Sequence, residues 1–245
     1  ELHISTDFIA NDHIGSETLR AYCAELKKTK VVIFALCVQG RLKAMINLVH
    51  YNIGAGTMIA IPSESFIQIL KTSDDIQMHV ILFSLPFVHE TNLDKSIIDT
   101  FYIINEHPLL PLPEKIFNIY TDTFSLLTRI CKDVPFLLSR ATLKSILEAL
   151  LQGFTELSQR KALLQVAPVN RHSAIYRKFI RLVQEYHTQQ HQVQFYATKM
   201  GIKSTTLCHI VKKKSNGQTA MEVINSILIL DARTLLRTTH TPVKD

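Results

Sequence analysis

Between Val31 and Leu85 the sequence breaks into five short apolar runs separated by turn-forming residues, and after Pro86 the apolar residues change to helical spacing. The runs are Val31–Val38 (VVIFALCV), Lys43–Tyr51 (KAMINLVHY), Thr57–Ile61 (TMIAI), Ser65–Leu70 (SFIQIL) and Ile76–Leu85 (IQMHVILFSL). They are rich in β-branched and aromatic side chains and too short for typical helices. Gln39-Gly40, Asn52–Gly56, Pro62 and Thr72–Asp75 punctuate them. Gly54 and Gly56 are expected to permit a tight corner. Five or more short strands at this interval predict an antiparallel barrel or sandwich.

Beyond Pro86, Asn92–Asn105 reads as a helix or mixed segment, and His107–Pro113 (HPLLPLP) as a breaker-rich connection. Pro113–Lys132 and Pro135–Gln159 read as helices with proline near the start, where its missing N–H costs least. In the second, Leu143, Leu147, Leu150, Phe154 and Leu157 recur at intervals of four and three. That seam is built for contact. The spacing fixes the face and not the partner, which is either the chain's own barrel or a second copy. Ser158–Asn170, broken by Pro168, reads as a linker. Ser173–His187, Val193–Met200, Ser204–Lys214 and Thr219–Arg237 follow as helices.

Charge divides the chain in the same place. From Pro168 onwards there are 12 Lys/Arg against 4 Asp/Glu, while the part before it holds 15 against 17. A near-neutral part joined to a basic part points to two roles, and a basic surface fits a polyanion such as DNA. Cys23, Cys37, Cys131 and Cys208 are scattered without a CxxC pair, which argues against a disulfide framework or zinc module. The opening Glu1-Leu2-His3 has neither a basic n-region nor an apolar h-region, and the longest apolar run is far too short to span a bilayer. A cytoplasmic protein with no membrane partner is expected.

The basic part carries a sharper pattern. Val193–Met200 (VQFYATKM) places Val193, Tyr196, Ala197 and Met200 on one helical face. Gly201 suits a left-handed helix end, and Ser204 is placed to cap the next helix. Two short helices joined by a Gly-containing turn form a helix-turn-helix. At about 100° per residue, Leu207, Ile210 and Val211 of the second helix cluster on one side. Thr205, Cys208, His209 and Lys212 fall on the other. The first set would anchor the helix, and the second would enter a major groove. Lys212, Lys213 and Lys214 supply charge for phosphates, and Ser204 with the free N–H groups at the helix start could hold one more. Thr219-Ala220-Met221-Glu222 is a capping-box pattern opening a long apolar helix. Thr241-Pro242 then restarts a helix three residues before the chain ends.

The run from Phe195 to Asp245 resembles the DNA-binding domain of the AraC/XylS transcription regulators. The similar features are Ala197–Gly201, the Leu207…Val211-Lys212 helix, Asp231-Ala232-Arg233…Leu235-Leu236, and the Thr-Pro-Val-Lys restart. The resemblance covers about the last fifth of the chain and stops before the family's second helix-turn-helix. It implies an N-terminal cupin-like barrel, dimerising helices, and a sequence-specific DNA binder switched by a small ligand. It places base contacts at Thr205, Thr206, Cys208 and His209. Cys208 is shorter than the polar side chain the family often carries there.

The expectation is thus an α+β chain. Residues 1–110 form a cupin-like antiparallel β-barrel sensor, 111–165 a helical linker and dimerisation region, and 166–245 a partial helix-turn-helix domain. Double-stranded DNA would meet Ser204, Thr205, Thr206, Cys208, His209, Lys212 and Lys213. The expected partners are DNA, a small-molecule effector, a second copy of the chain, and RNA polymerase as a regulator's natural contact. No catalysis, cofactor or metal is expected. The rival from another class is a cupin-type enzyme or small-molecule binding protein with a helical interaction module. His50, His79 and His89 are its candidate ligands, but they lack the clustered spacing that a metal needs. Tyr176, Tyr186, Phe195 and Tyr196 could stack on single strands, but at helical spacing they read as core.

Overall fold

The strand β3 (Val31–Gln39) is buried at each position from Val31 to Cys37, because it is covered on both faces. Val32, Phe34 and Leu36 point one way, into a core shared with helices. Val31, Ile33, Ala35 and Cys37 point the other way, into a core between two sheets. That is why its sequence runs apolar without alternation. The computed structural model describes residues 2–91, 100–101, 103–105, 107–164, 171–215 and 218–238. They fall into two units, Glu1–Ile46 with His50–Val166, and Asn47–Val49 with Ala167–Asp245.

In the first unit β3 is the middle of a five-stranded sheet, ordered β1-β8-β3-β6-β9. It pairs with β6 (Thr57–Ile61) and β8 (Gln77–Ser84), and β9 (Leu109–Pro111) and β1 (Phe8–Ile14) are the outer strands. All four pairings are antiparallel, and Phe34 stands opposite Ile81 on one side and Ala60 on the other. The second sheet has β2 (Lys27–Lys28), β4 (Arg41–Ile46), β5 (Val49–Gly54) and β7 (Phe66–Thr72), in the order β2-β7-β4-β5. The edge strand β9 is three residues long and ends in Pro111, which has no N–H to offer a further strand. The α+β class expected from the sequence is what the chain adopts.

Several local expectations change. The Lys43–Tyr51 run is two strands, broken at Asn47 and Leu48, which take left-handed φ values of 48° and 60°. No glycine marks that turn, so the apolar run conceals it. At the next corner only Gly56 has positive φ, at 80°. Gly54 does not need its freedom. Pro86 does not close the strand from outside. Ser84 caps a helix α2 (Leu85–Glu90) by accepting from the Phe87 N–H at 3.3 Å, and Pro86 lies in its first turn. β1 and helix α1 (Ser16–Cys23) precede the runs recognised in the sequence. Within the expected Asn92–Asn105 segment, residues 92–99 and 102 lie outside the described residues.

Two long helices follow. α3 spans Glu114–Asp133, with Pro113 at its N-cap. The expected Pro135–Gln159 helix is instead a 3-10 turn at Pro135–Leu137 and a helix α4 over Arg140–Leu164. Ser139 starts α4, its Oγ accepting from the Thr142 N–H at 3.2 Å. The leucine seam has a definite partner. Leu143, Leu147, Leu150 and Phe154 are buried in one cluster with Phe34, Leu36, Phe83, Phe87 and Phe124, and Leu157 packs on its edge. The seam covers the unit's own sheet. Ile119, Leu126, Phe136 and Leu137 are large apolar side chains left exposed on α3 and in the turn that follows it.

The second unit is helical in α5 (Arg171–Tyr186), α6 (Val193–Met200), α7 (Ser204–Lys214) and α8 (Ala220–Thr238). Residues 165–170 of the expected linker and the Thr241-Pro242 restart lie outside the described residues. Leu147→Ala is expected to destabilise the first unit by about 2–5 kcal/mol, read from urea unfolding, with no change in sedimentation. A change of oligomeric state without loss of stability would assign the seam to a second copy instead.

Candidate nucleic-acid interface

α6 ends because Gly201 turns left-handed, at φ 66° and ψ 31°. Its N–H donates to the Thr198 carbonyl at 3.0 Å, and the Ile202 N–H reaches back to Ala197 at 3.1 Å. These bonds satisfy carbonyls that the helix end would otherwise leave open. Tyr196 and Ala197 are buried on the inner face of α6, and Val193 and Met200 are half-buried beside them. A small residue at Ala197 lets the backbones approach.

The chain re-enters a helix within three residues. The N-cap of α7 is Lys203, extended at ψ 142° and without a side-chain cap. Ser204 is therefore not the cap expected from the sequence. It is the first helical residue, and its hydroxyl donates to Gln194 Oε1 of α6. A serine after a glycine turn suits either position, and here the nearby amide captures its hydroxyl. The bond ties the start of α7 to α6, and among the described residues no side-chain hydrogen bond caps the start of α7.

α7 divides as its sequence dictates. Leu207, Ile210 and Val211 are at most 1% exposed. α7 packs against α5, α6 and α8. Their contributions to the same core include Tyr176, Phe179, Ile180 and Val183 of α5 and Val223, Ile224 and Ile227 of α8, all buried. Thr205, Thr206, Cys208, His209, Lys212 and Lys213 are exposed on the outer side, while Lys214 is half-buried. The structure thus brings the expected contact residues onto one face, with Ser204 half-buried at its start.

The far end of α7 is also fixed. Ser215 donates to both Val211 O at 2.8 Å and Gln218 O at 2.9 Å. The capping box is formed. The Glu222 N–H donates to Thr219 Oγ1 at 3.2 Å, and the Thr219 N–H donates to Glu222 Oε2 at 2.6 Å. The Thr219 N–H holds the Glu222 carboxyl below its ordinary range.

The aromatic residues separate by burial. Tyr176 and Tyr196 are core, and Tyr196 donates to the Gln190 carbonyl. Burial pushes the Tyr196 phenol up to about 12. Tyr186 and Phe195 are half-buried and pack edge to face at 5.4 Å. Lys199 lies 4.0 Å from the Tyr186 ring centre and donates to its hydroxyl at 2.7 Å. None of the four is an open stacking platform.

The rival's histidines do not converge. His50 lies on β5, His79 on β8 and His89 on α2. Among the described residues, no three His, Cys, Asp or Glu side chains are grouped to hold a metal ion. Nδ1 of both His50 and His79 is buried without a hydrogen-bond partner. Burial pulls His79 below its ordinary value, with Asp12 opposing and His13 adding to the shift. Burial and then Lys43 lower His50.

No protein-family profile and no characterised protein sequence matches the chain. Solved structures do. Unsaturated fatty acid-bound ToxT from Vibrio cholerae is 15% identical, over all of this chain and 86% of that one, with a TM-score of 0.40. The AraC-like transcriptional activator CuxR is 9% identical, over 93% of this chain and 77% of its own, at 0.36. The cupin domain of Schizosaccharomyces pombe Cnp3 is 10% identical, over 39% of this chain and 71% of that domain, at 0.27. AraC-like regulators are thus among the structural neighbours.

Two outcomes are expected. Gly201→Ala forces an alanine into left-handed φ with open space around its Cβ, so the cost is conformational alone. It should be about 1–2 kcal/mol, with Gly201→Asn costing less, as read by chemical unfolding. Equal costs for both would remove the φ argument. His79, depressed when folded, binds its proton more readily in the unfolded chain. Stability is therefore full above the ordinary imidazole value of 6.5 and falls as the pH drops through it towards the folded value. His79→Leu should flatten the dependence of the urea midpoint on pH across that window. An unchanged slope would exonerate His79.

Proposed function

We propose that the chain is a DNA-binding transcription regulator of the AraC/XylS type, switched by a small molecule held in its N-terminal barrel. The observation that carries the reading is α7: one buried face, one exposed face, and a run of lysines at one end. An α-helix fits the major groove of B-DNA, and side chains at its outer face meet base edges there. Thr205, Thr206, Cys208 and His209 are the base-reading residues. His209 has the longest reach of the four and two ring nitrogens with which to discriminate bases. Lys212 and Lys213 neutralise phosphates. The uncovered N–H groups at the start of α7, beside Ser204, take a further phosphate.

The fixed geometry around α7 supports the assignment. A recognition helix must hold its register on the duplex, and three neighbouring helices clamp this one while leaving its outer side free. The helices of 111–165 form the linker and dimer-forming region. Since the leucine seam is buried at home, the exposed Ile119, Leu126, Phe136 and Leu137 are side chains that remain to meet a second copy. RNA polymerase is the natural further partner of such a regulator. The assignment includes no catalytic step and places the protein in the cytoplasm.

Binding is to be tested by fluorescence anisotropy with labelled duplexes over a salt series. Lys212→Ala with Lys213→Ala should weaken binding to all sequences and reduce the log–log salt slope by roughly 2. An unchanged slope would count against this docking. His209→Ala should leave the slope alone and alter the sequences recovered from a randomised duplex pool. An unaltered profile removes His209 from base readout.

A further inference from the structure

The two sheets of the first unit do not fill the space between them. They enclose a cavity of about 520 Å³. Protein interiors hold few voids larger than a water molecule, and this volume lies in the range of small-molecule sites. Its walls come from β1, β3, β4, β5, β6, β7 and β8, and the segment Leu2–Ser5 with helix α1 closes one side. Ten of its 24 lining residues are isoleucine. A β-branched side chain is stiff at χ1, so such a wall keeps its shape when empty. Ala35 and Ala44 supply the room: Ala35 lies between its cross-strand partners Ile59 and Val80, and Ala44 between Leu42 and Ile46 on its own strand face.

The chemistry of the lining is one-sided. No Lys, Arg, Asp or Glu is among the described lining residues. The polar groups are His3, Ser5, Asn11, Thr18 and Tyr22, all on the N-terminal segment, β1 or α1. Asn11 already accepts from the His13 N–H through its Oδ1. The Arg20 guanidinium of α1 is engaged with Thr72 Oγ1 at 3.1 and 3.2 Å and is not part of the lining. Cys23, the lining thiol, is pushed up by burial and stays neutral. An ionised group lying against the isoleucine wall would lose its water and meet no Lys, Arg, Asp or Glu, which is strongly unfavourable. An apolar body with one neutral hydrogen-bonding end loses little and gains the whole wall.

We infer that the barrel takes an uncharged, largely apolar small molecule whose single polar end rests among Ser5, Thr18 and Tyr22. This deepens the sensor reading above and rests on it for its regulatory meaning, but not for the binding itself. Alkanols, neutral esters and apolar ketones belong to the class, and carboxylates do not.

The test uses the full chain and N-phenyl-1-naphthylamine, a neutral apolar fluorophore that brightens on leaving water. A medium-chain alkanol and the alkanoate of the same carbon number compete at a pH where the alkanoate is ionised. The alkanol is expected to displace the probe at least tenfold more tightly. Equal or tighter displacement by the alkanoate overturns the proposal, as does a probe that fails to bind. Ala44→Leu fills the cavity and should weaken the probe. Tyr22→Arg adds a cation at an exposed position on the lining. It should narrow or reverse the alkanol preference, and an unmoved preference overturns the placement of the polar end. Anisotropy on duplex DNA runs in parallel. Alkanol binding that leaves DNA affinity unchanged sustains the cavity assignment and defeats the switch. Salt-dependent DNA binding with no probe binding does the reverse.

Discussion

Burial of β3 on both faces is the constraint from which the first unit is built. A strand with two apolar sides must be covered twice. One side meets the second sheet, and the other meets α3 and α4. The leucine seam of α4 exists because the sheet beneath it presents Phe34, Leu36 and Phe83. The cavity exists because the opposite side presents Ile33 and Ala35, whose branched and small side chains face a wall that stands off. Packing and vacancy thus arise from alternate residues of the same nine-residue strand.

The second unit solves a different problem. α7 is only 11 residues long, too short to be stable alone, so its order comes from its neighbours. The Gly201 turn sets where it begins, Ser204 ties that start to α6, and Ser215 fixes its end. Three buried side chains hold it and six exposed ones remain for a partner. Lys203, Lys212, Lys213 and Lys214 put positive charge on or beside this helix, while Lys199 lies over Tyr186.

Much of this was legible in the residues, for physical reasons. Long apolar runs and helical periodicity report burial directly, so β3, β6 and the helices were readable. The α7 faces followed from its period alone. What escaped reading depended on contacts distant in sequence. The Asn47-Leu48 turn carries no glycine, and its positive φ values are hidden within an apolar run. Whether Ser204 caps or follows the cap is decided by Gln194, ten residues earlier. The seam's partner was undetermined because leucine spacing describes one surface only. The cavity was invisible because emptiness is a property of facing strands. Ala35 two residues after Ile33 in β3, and Ala44 between Leu42 and Ile46 in β4, were the trace it left.

The short edge at β9 has a consequence for how copies of this protein can meet. An open sheet invites another chain to continue its ladder, and that invitation leads as readily to aggregates as to dimers. Here the invitation is withdrawn on the β9 side by three residues ending in Pro111. Assembly cannot grow there by sheet extension. A protein with an apolar interior large enough to admit a guest can then be present at high concentration without joining its neighbours along that border.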